Sequence, residues 1–178
     1  MVDTAAEADL RWLVDRARIS ELLHRYAFDI DTRSWDSWKK LFLPDVIGEY
    51  PAVTYRGRDE LTAGISRIDR WAATQHLSTN HQIEIDGDRA RSVSYLQAVH
   101  VPQAGAKHEH YDMGGWYLHE FVRTPAGWRI SRLKLVQSWS LGEAHRSRLR
   151  EGPDPRFGRA DMAEARGHLR QPDLEDPR

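Results

Sequence analysis

No cysteine occurs in the 178 residues, so disulfides, thiolate nucleophiles and cysteine-ligated zinc or iron–sulfur sites are excluded, and the fold must be held by packing. A charge excess is missing too. Against 27 acidic residues stand 26 basic ones, which leaves no field to attract nucleic acid or anionic lipid and points to a small, neutral or weakly charged partner. No apolar run reaches membrane-spanning length, and the start, MVDTAAEADLRW, has neither the basic opening nor the apolar centre of a signal peptide. The expectation is a cytoplasmic protein with no membrane partner. There is no Walker-type loop, no GxGxxG after a strand and no GxSxG elbow, and Gly114-Gly115 falls inside a predicted strand. Nucleotide cofactors and serine-hydrolase chemistry therefore have no support, and no cofactor is expected. Repeats and heptads are also absent, which argues against a solenoid or coiled coil.

What the chain does have is aromatic surface, with seven tryptophans and six tyrosines, residues that serve both cores and pocket walls. Thr4 and Glu7 form a capping box, and Ile19, Leu22, Leu23, Tyr26, Ala27 and Ile30 then recur at three- and four-residue spacing, predicting a long helix with one buried stripe. Trp35, Trp38, Leu41 and Phe42 predict a second short helix ended by Pro44, and Leu61, Ile65 and Ile68 a third that breaks near Trp71. From His76 onward the texture is β: a hairpin about Asp86-Gly87-Asp88, then strands from Tyr111 to Arg123 and from Trp128 to about Trp139. Helices in the first half and strands in the second predict an α+β fold: a cone-shaped, curved antiparallel sheet covered by N-terminal helices. Residues 1–141 form the expected domain. Residues 142–178, rich in Arg, Glu, Asp and Pro, form a charged extension, either solvated or in contact with another subunit, and without chemistry of its own.

The stretches RYAFDIDTRSWDSW, RGRDEL, QHLSTNHQIEIDGD and GGWYLHEFVRTPAGWRI, in this order of elements, resemble the SnoaL-like group of the nuclear-transport-factor-like superfamily over roughly residues 8 to 140. The nearest likeness is to the branch of scytalone dehydratase, bile acid dehydratase and hexachlorocyclohexane dehydrochlorinase. That resemblance implies a cystatin-like α+β barrel, a homo-oligomer (trimer before dimer) and a histidine–aspartate pair inside the cone. Carried over by position, it makes Asp31 the aspartate, His76 the histidine, and Tyr26 the tyrosine that bile acid dehydratase carries on the same helix. The dehydrochlorinase has a lysine near that helix. Here no lysine precedes residue 39, which favours loss of water over loss of halide.

The chemistry fits the residue types. Eliminating water beside a carbonyl or aryl group needs a base for the carbon-bound proton and an acid for the departing oxygen, and histidine serves both near neutral pH when a carboxylate fixes its tautomer. Periodicity alone cannot choose Asp31 over Asp29, because the two flank the apolar stripe from opposite sides. A helix-end carboxylate in water and a core tyrosine are the plain alternatives for Asp31 and Tyr26. Trp35, Tyr50, Tyr55, Trp116 and Trp139 are candidate substrate-binding walls, and simple packing explains each of them as well. His100, on the same strand face as Leu96 and Ala98, is open to two readings, a second pocket histidine or, preferred, a hydrogen-bonded sheet histidine, and stays outside the catalytic set. His81, His108, His110 and His119 lack a metal-ligand spacing, so no metal is expected. The resulting expectation is a cofactor-independent dehydratase acting on a small hydroxylated cyclic, polyketide-like or steroid-like molecule. An isomerase or cyclase on the same fold, or a noncatalytic binding module, is the alternative.

Overall fold

The computed structural model describes residues 4–104, 110–142 and 159–169, with backbone only for 159–162. The loop residues 105–109, His108 among them, and most of the 142–178 extension lie outside the described residues. Three helices open the chain: α1 (Thr4–Asp31), α2 (Trp35–Lys39) and α3 (Arg58–Ile65), the last continued by a 3₁₀ turn over Ser66–Arg70. Between and after them run β1 (Phe42–Tyr50), β2 (Val53–Arg56), β3 (Ala73–Asp86), β4 (Arg89–Val101), β5 (Tyr111–Thr124) and β6 (Gly127–Leu141). Strand β3 starts three residues before the onset that alternation predicts, so His76 lies within the strand and not between helix and strand.

The six strands make one curved, unclosed sheet in the order β2-β1-β6-β5-β4-β3. It is antiparallel except where β1 pairs with β6 in parallel. The chain between them, from β2 through α3 and the three strands β3 to β5, supplies the long connection such a parallel pairing needs. Register shifts shape the sheet, among them a bulge between Thr79 and Gln82 on β3, where Asn80 takes a φ of 54°, and an irregularity at Gly114/Gly115 between β5 and β6.

Helix α1 lies across the inner face. Its predicted stripe is the buried one: Ile19, Leu23, Tyr26 and Ile30 are at most 2% exposed and meet Leu61, Leu96, Phe121, Ile130 and Leu133 in the main core cluster. The outer face carries a smaller cluster of Val93, Leu118 and Val136, covered in part by Ala165 and Leu169 at the end of α4 (Arg159–His168). Thus the one described stretch of the charged extension beyond Gly142 packs on the sheet instead of standing free in solvent. Glu164 pairs with Lys134, and His168 Nε2 lies 3.0 Å from the His119 carbonyl oxygen. Among the described residues no helix is long and apolar enough to cross a membrane.

The N-terminal half of α1 is fastened by a charge. Asp15, 3% exposed, accepts both Nη atoms of Arg123 at 2.7 Å and the indole N–H of Trp128 at 3.1 Å. Arg123 also lies over the Trp128 ring, 4.3 Å from its centroid, and donates from Nε to Asp88 in the β3–β4 turn. The Arg123 hydrogen bonds hold the Asp15 carboxyl below its ordinary pKa despite burial. A depressed carboxylate stabilises the fold above the ordinary aspartate range and stops doing so as pH falls through its folded value. Asp15→Asn is expected to cost about 1 to 3 kcal/mol at pH 7 and less near pH 3, a convergence that urea denaturation at the two pH values would read.

Candidate active site

Helix α1 ends at Asp31 by a helix-terminating turn in which Arg33 N–H bonds the Ile30 carbonyl at 3.2 Å and Ser34 N–H bonds the Asp29 carbonyl at 2.8 Å. With Arg33 at φ 58°, this is the Schellman pattern, which satisfies the last carbonyls of the helix and fixes the direction in which its final side chains leave. Asp31 leaves toward β3. Its Oδ1 lies 2.7 Å from His76 Nδ1 and accepts the Thr74 hydroxyl at 2.9 Å, and its Oδ2 accepts the His76 backbone N–H at 2.7 Å. An ionised carboxylate only accepts, so His76 turns an Nδ1–H toward Asp31, and in the neutral ring Nε2 is the nitrogen that accepts. Burial pushes the Asp31 pKa up, but the His76 side-chain and backbone hydrogen bonds, the attraction of His76 and the Thr74 hydroxyl together bring it below the ordinary carboxylate value. The His76 side chain is 7% exposed and that of Asp31 20%: a largely desolvated pair that still reaches the surface.

Around the pair stands a wall that spacing alone does not reveal. His100, on the neighbouring strand, meets the His76 ring edge-on, with centroids 5.5 Å apart and planes at 82°. Its Nδ1 donates to the Tyr111 carbonyl at 2.7 Å, so its Nε2 is unprotonated. Burial, helped by repulsion from His76, lowers its pKa to about 4. Trp71, at the end of the 3₁₀ turn, leans on His100 with ring centroids 5.4 Å apart. Cross-strand pairing of Thr74 with His100 and of His100 with Tyr111 aligns these groups, a signal that strand register carries and a linear sequence does not.

Tyr26 is 1% exposed and sits in an aromatic nest, its ring 5.3 Å from that of Tyr117 and 5.5 Å from that of Trp38. Its hydroxyl lies 3.1 Å from that of Tyr50. Burial above all holds the Tyr26 and Tyr50 hydroxyls well above their usual pKa and raises Tyr117 to about 12, with the Asp31 charge contributing to the latter. All three phenols therefore stay protonated, and Tyr117 is near enough to Asp31 to feel it. Trp35, Tyr50 and Tyr55 are half-buried against the same core cluster, and the Trp35 indole N–H reaches Asp69 at 3.3 Å.

Trp116 and Trp139 lie elsewhere. Strand alternation that turns His76 and Tyr117 inward turns Leu77 and Trp116 outward, and Trp116 packs with the outer cluster. Trp139 lies over Gly114 and shares with Trp116, Leu77 and Tyr95 a groove on the outer face. The structure thus brings Asp31 and His76 together, gathers Tyr26 and Tyr50 by their hydroxyls in the aromatic nest that Tyr117 shares, and places these two tryptophans across the sheet. Asp29, the rival carboxylate, is buried at 5% exposure, with Oδ2 unpaired among the described residues. No group of three histidine or acidic residues among those described is arranged to hold a metal ion.

The chain has relatives. The model of the SnoaL-like domain matches residues 11–134. An uncharacterized protein of Mycobacterium tuberculosis is 31% identical over 128 residues, covering 66% of this chain and 82% of that protein. A crystal structure of a protein from Kribbella flavida superposes with a TM-score of 0.69 at 30% identity, covering 76% of this chain and 98% of the other. That of a scytalone dehydratase candidate from Novosphingobium aromaticivorans does so with a TM-score of 0.68 at 21% identity, covering 74% and 89%, a likeness of fold.

Deeper in the interior, His119 is fully buried, with both ring nitrogens unpaired among the described residues, and burial lowers its pKa to about 3. Below the ordinary histidine value of 6.5, the unfolded chain takes up protons that His100 and His119 refuse in the folded one. Stability therefore falls as pH drops from 6.5 toward 4 for His100 and toward 3 for His119. The fall is on the order of 1 to 2 kcal/mol for each histidine between pH 7 and pH 5, and urea denaturation of His119→Phe should show a correspondingly shallower pH slope than wild type.

Proposed function

We propose that this chain, which belongs to the SnoaL-like domain family, is a cofactor-independent lyase that removes water from a small hydroxylated cyclic, polyketide-like or steroid-like molecule. The observation that carries the reading is the 2.7 Å contact of His76 Nδ1 with Asp31 Oδ1, in a pair mostly withdrawn from water. The scytalone dehydratase candidate of the same fold supports elimination as the reaction class.

In this reading the free Nε2 of His76 takes the proton from the carbon next to a carbonyl or aryl group. Asp31, already accepting the Nδ1 proton, stabilises the imidazolium that forms. The imidazolium then returns its proton to the departing hydroxyl, so one water leaves and the histidine ends neutral. Desolvation of the pair keeps the enolate-like state from being quenched by bulk water. Tyr50, hydrogen-bonded to Tyr26, offers a protonated phenol to the developing oxyanion, and Trp35 and Tyr55, packed on the same core, are assigned as substrate walls. Tyr26 takes part through Tyr50, since its own ring is enclosed.

Hydroxylated ring compounds incubated with the protein and followed by mass spectrometry are expected to yield one product lighter by a single water. His76→Ala should lower its formation by about 10²- to 10⁴-fold while circular dichroism shows the variant still folded at the assay temperature. Equal conversion by wild type and His76→Ala would overturn the assignment. Proton exchange from D₂O without loss of water would redirect it to isomerisation.

A further inference from the structure

Arg33 occupies a position where the backbone has no use for arginine. At φ 58°, in the residue that closes the Schellman turn, glycine is the favoured occupant, and an L side chain there carries a strain of about 1 kcal/mol. Its side chain, however, is fully engaged. Nη1 donates to the Ile30 carbonyl at 2.7 Å and to the Thr74 hydroxyl oxygen at 2.8 Å. Nε pairs with Asp69 at 3.2 Å, and Asp69 also receives the Trp35 indole N–H.

The direction of these bonds is forced. A guanidinium only donates, so at Thr74 the hydroxyl must accept from Arg33. Its single proton then goes to Asp31 Oδ1, the acceptor at 2.9 Å among the described residues. The sequence Arg33 to Thr74 to Asp31, met from the other side by His76, has one polarity and no alternative. It saturates Oδ1 with two donors while the His76 backbone N–H holds Oδ2, so the carboxylate can neither rotate nor accept from a stray water in place of the imidazole.

We propose that Arg33 and Thr74 are positioning residues: Arg33 orients the Thr74 hydroxyl, and that hydroxyl locks the Asp31 carboxylate, and through it the tautomer and ring orientation of His76. Two further connections follow from the same side chain. Through Asp69, which carries the opposite charge, the relay is tied to the 3₁₀ turn whose end, Trp71, leans on His100. Through Trp35 it is tied to the start of α2. The charged groups facing Arg33 are thus Asp69 and, across the Thr74 hydroxyl, Asp31. The catalytic consequence rests on the lyase reading above, whereas the relay itself is testable without any substrate.

The test uses the left-handed backbone to advantage. Arg33→Gly suits the local φ and should fold, and Arg33→Asn, also tolerant of that φ, is the second variant. Thr74→Val removes the hydroxyl at nearly constant shape, and Thr74→Ser restores it. In the free protein, the ¹³C titration of the Asp31 carboxyl and the ¹⁵N shifts of His76 are recorded. Thr74→Val is expected to move the Asp31 midpoint up by on the order of half a unit to one unit and to erode the Nδ1–H tautomer. Thr74→Ser should leave both as in wild type. Either Arg33 variant should move the midpoint the same way by less, and adding it to Thr74→Val should change nothing more, because its effect runs through the hydroxyl. A folded Arg33 variant with an unmoved midpoint, or an Arg33 effect that persists in full on the Thr74→Val background, would overturn the relay. Once a substrate is in hand, kcat of Thr74→Val should fall roughly tenfold with KM little changed. Absence of any turnover would count against the lyase reading and leave the spectroscopic result standing.

Discussion

The rotation of α1 about its own axis is fixed by two buried or half-buried carboxylates, one near each end of its packed half. An apolar stripe restricts a helix to a range of angles, since leucines and isoleucines tolerate some roll. A bidentate arginine or a three-donor carboxylate does not. Asp15 meets Arg123 and Trp128 at the far side of the sheet, and Asp31 meets Thr74 and His76 on β3. On an ideal helix the two side chains leave about 160° apart, so they grip opposite margins of the stripe and together leave α1 a single setting. The candidate site, with the imidazole aimed by Asp31, inherits its precision from that setting.

The division of labour between the two faces of the sheet follows. The inner face receives α1 and takes the buried polar chemistry: His76, His100, His119 and the tyrosine nest. The outer face receives α4 and carries a shallow apolar cluster with no titratable group at its centre. Inside, burial sets the protonation states, holding the phenols of Tyr26, Tyr50 and Tyr117 protonated and the imidazoles of His100 and His119 neutral, while hydrogen-bond donors reverse that tendency at the carboxylates of Asp15 and Asp31. At the candidate site an ionised carboxylate among neutral phenols fixes which nitrogen of the neighbouring imidazole faces it.

The α+β class, the helix stripe from Ile19 to Ile30 and the hairpin about Gly87 were legible because each rests on a local period or turn chemistry. The pair itself was not legible from spacing. Asp29 and Asp31 are equivalent on an ideal helix, and only the family likeness preferred Asp31; the deciding contact comes from Thr74 and His76, more than forty residues downstream. The two tryptophans on β5 and β6 misled for a related reason. Both faces of the sheet are covered, so apolar residues occur at adjacent positions such as Trp116 and Tyr117, and the alternation that would tell inside from outside is blurred further by the register shift at Gly114/Gly115. His100 could not be placed beside the pair, and Arg33 carried no signal, because one is defined by cross-strand register and the other by a backbone angle, neither of which is written in composition.

Strand β3 ends the sheet and has β4 on one side only. Its other margin would present bare amide groups, a template on which a second chain could add a strand. The Asp31 carboxylate, by taking the His76 backbone N–H, occupies that margin near the start of the strand with a charge and with the end of a helix. The group that aims the imidazole therefore also guards against edge-to-edge association, and a chain that surrendered it would gain in stickiness. The setting of the imidazole and the covering of the sheet's edge are bound to the same carboxylate.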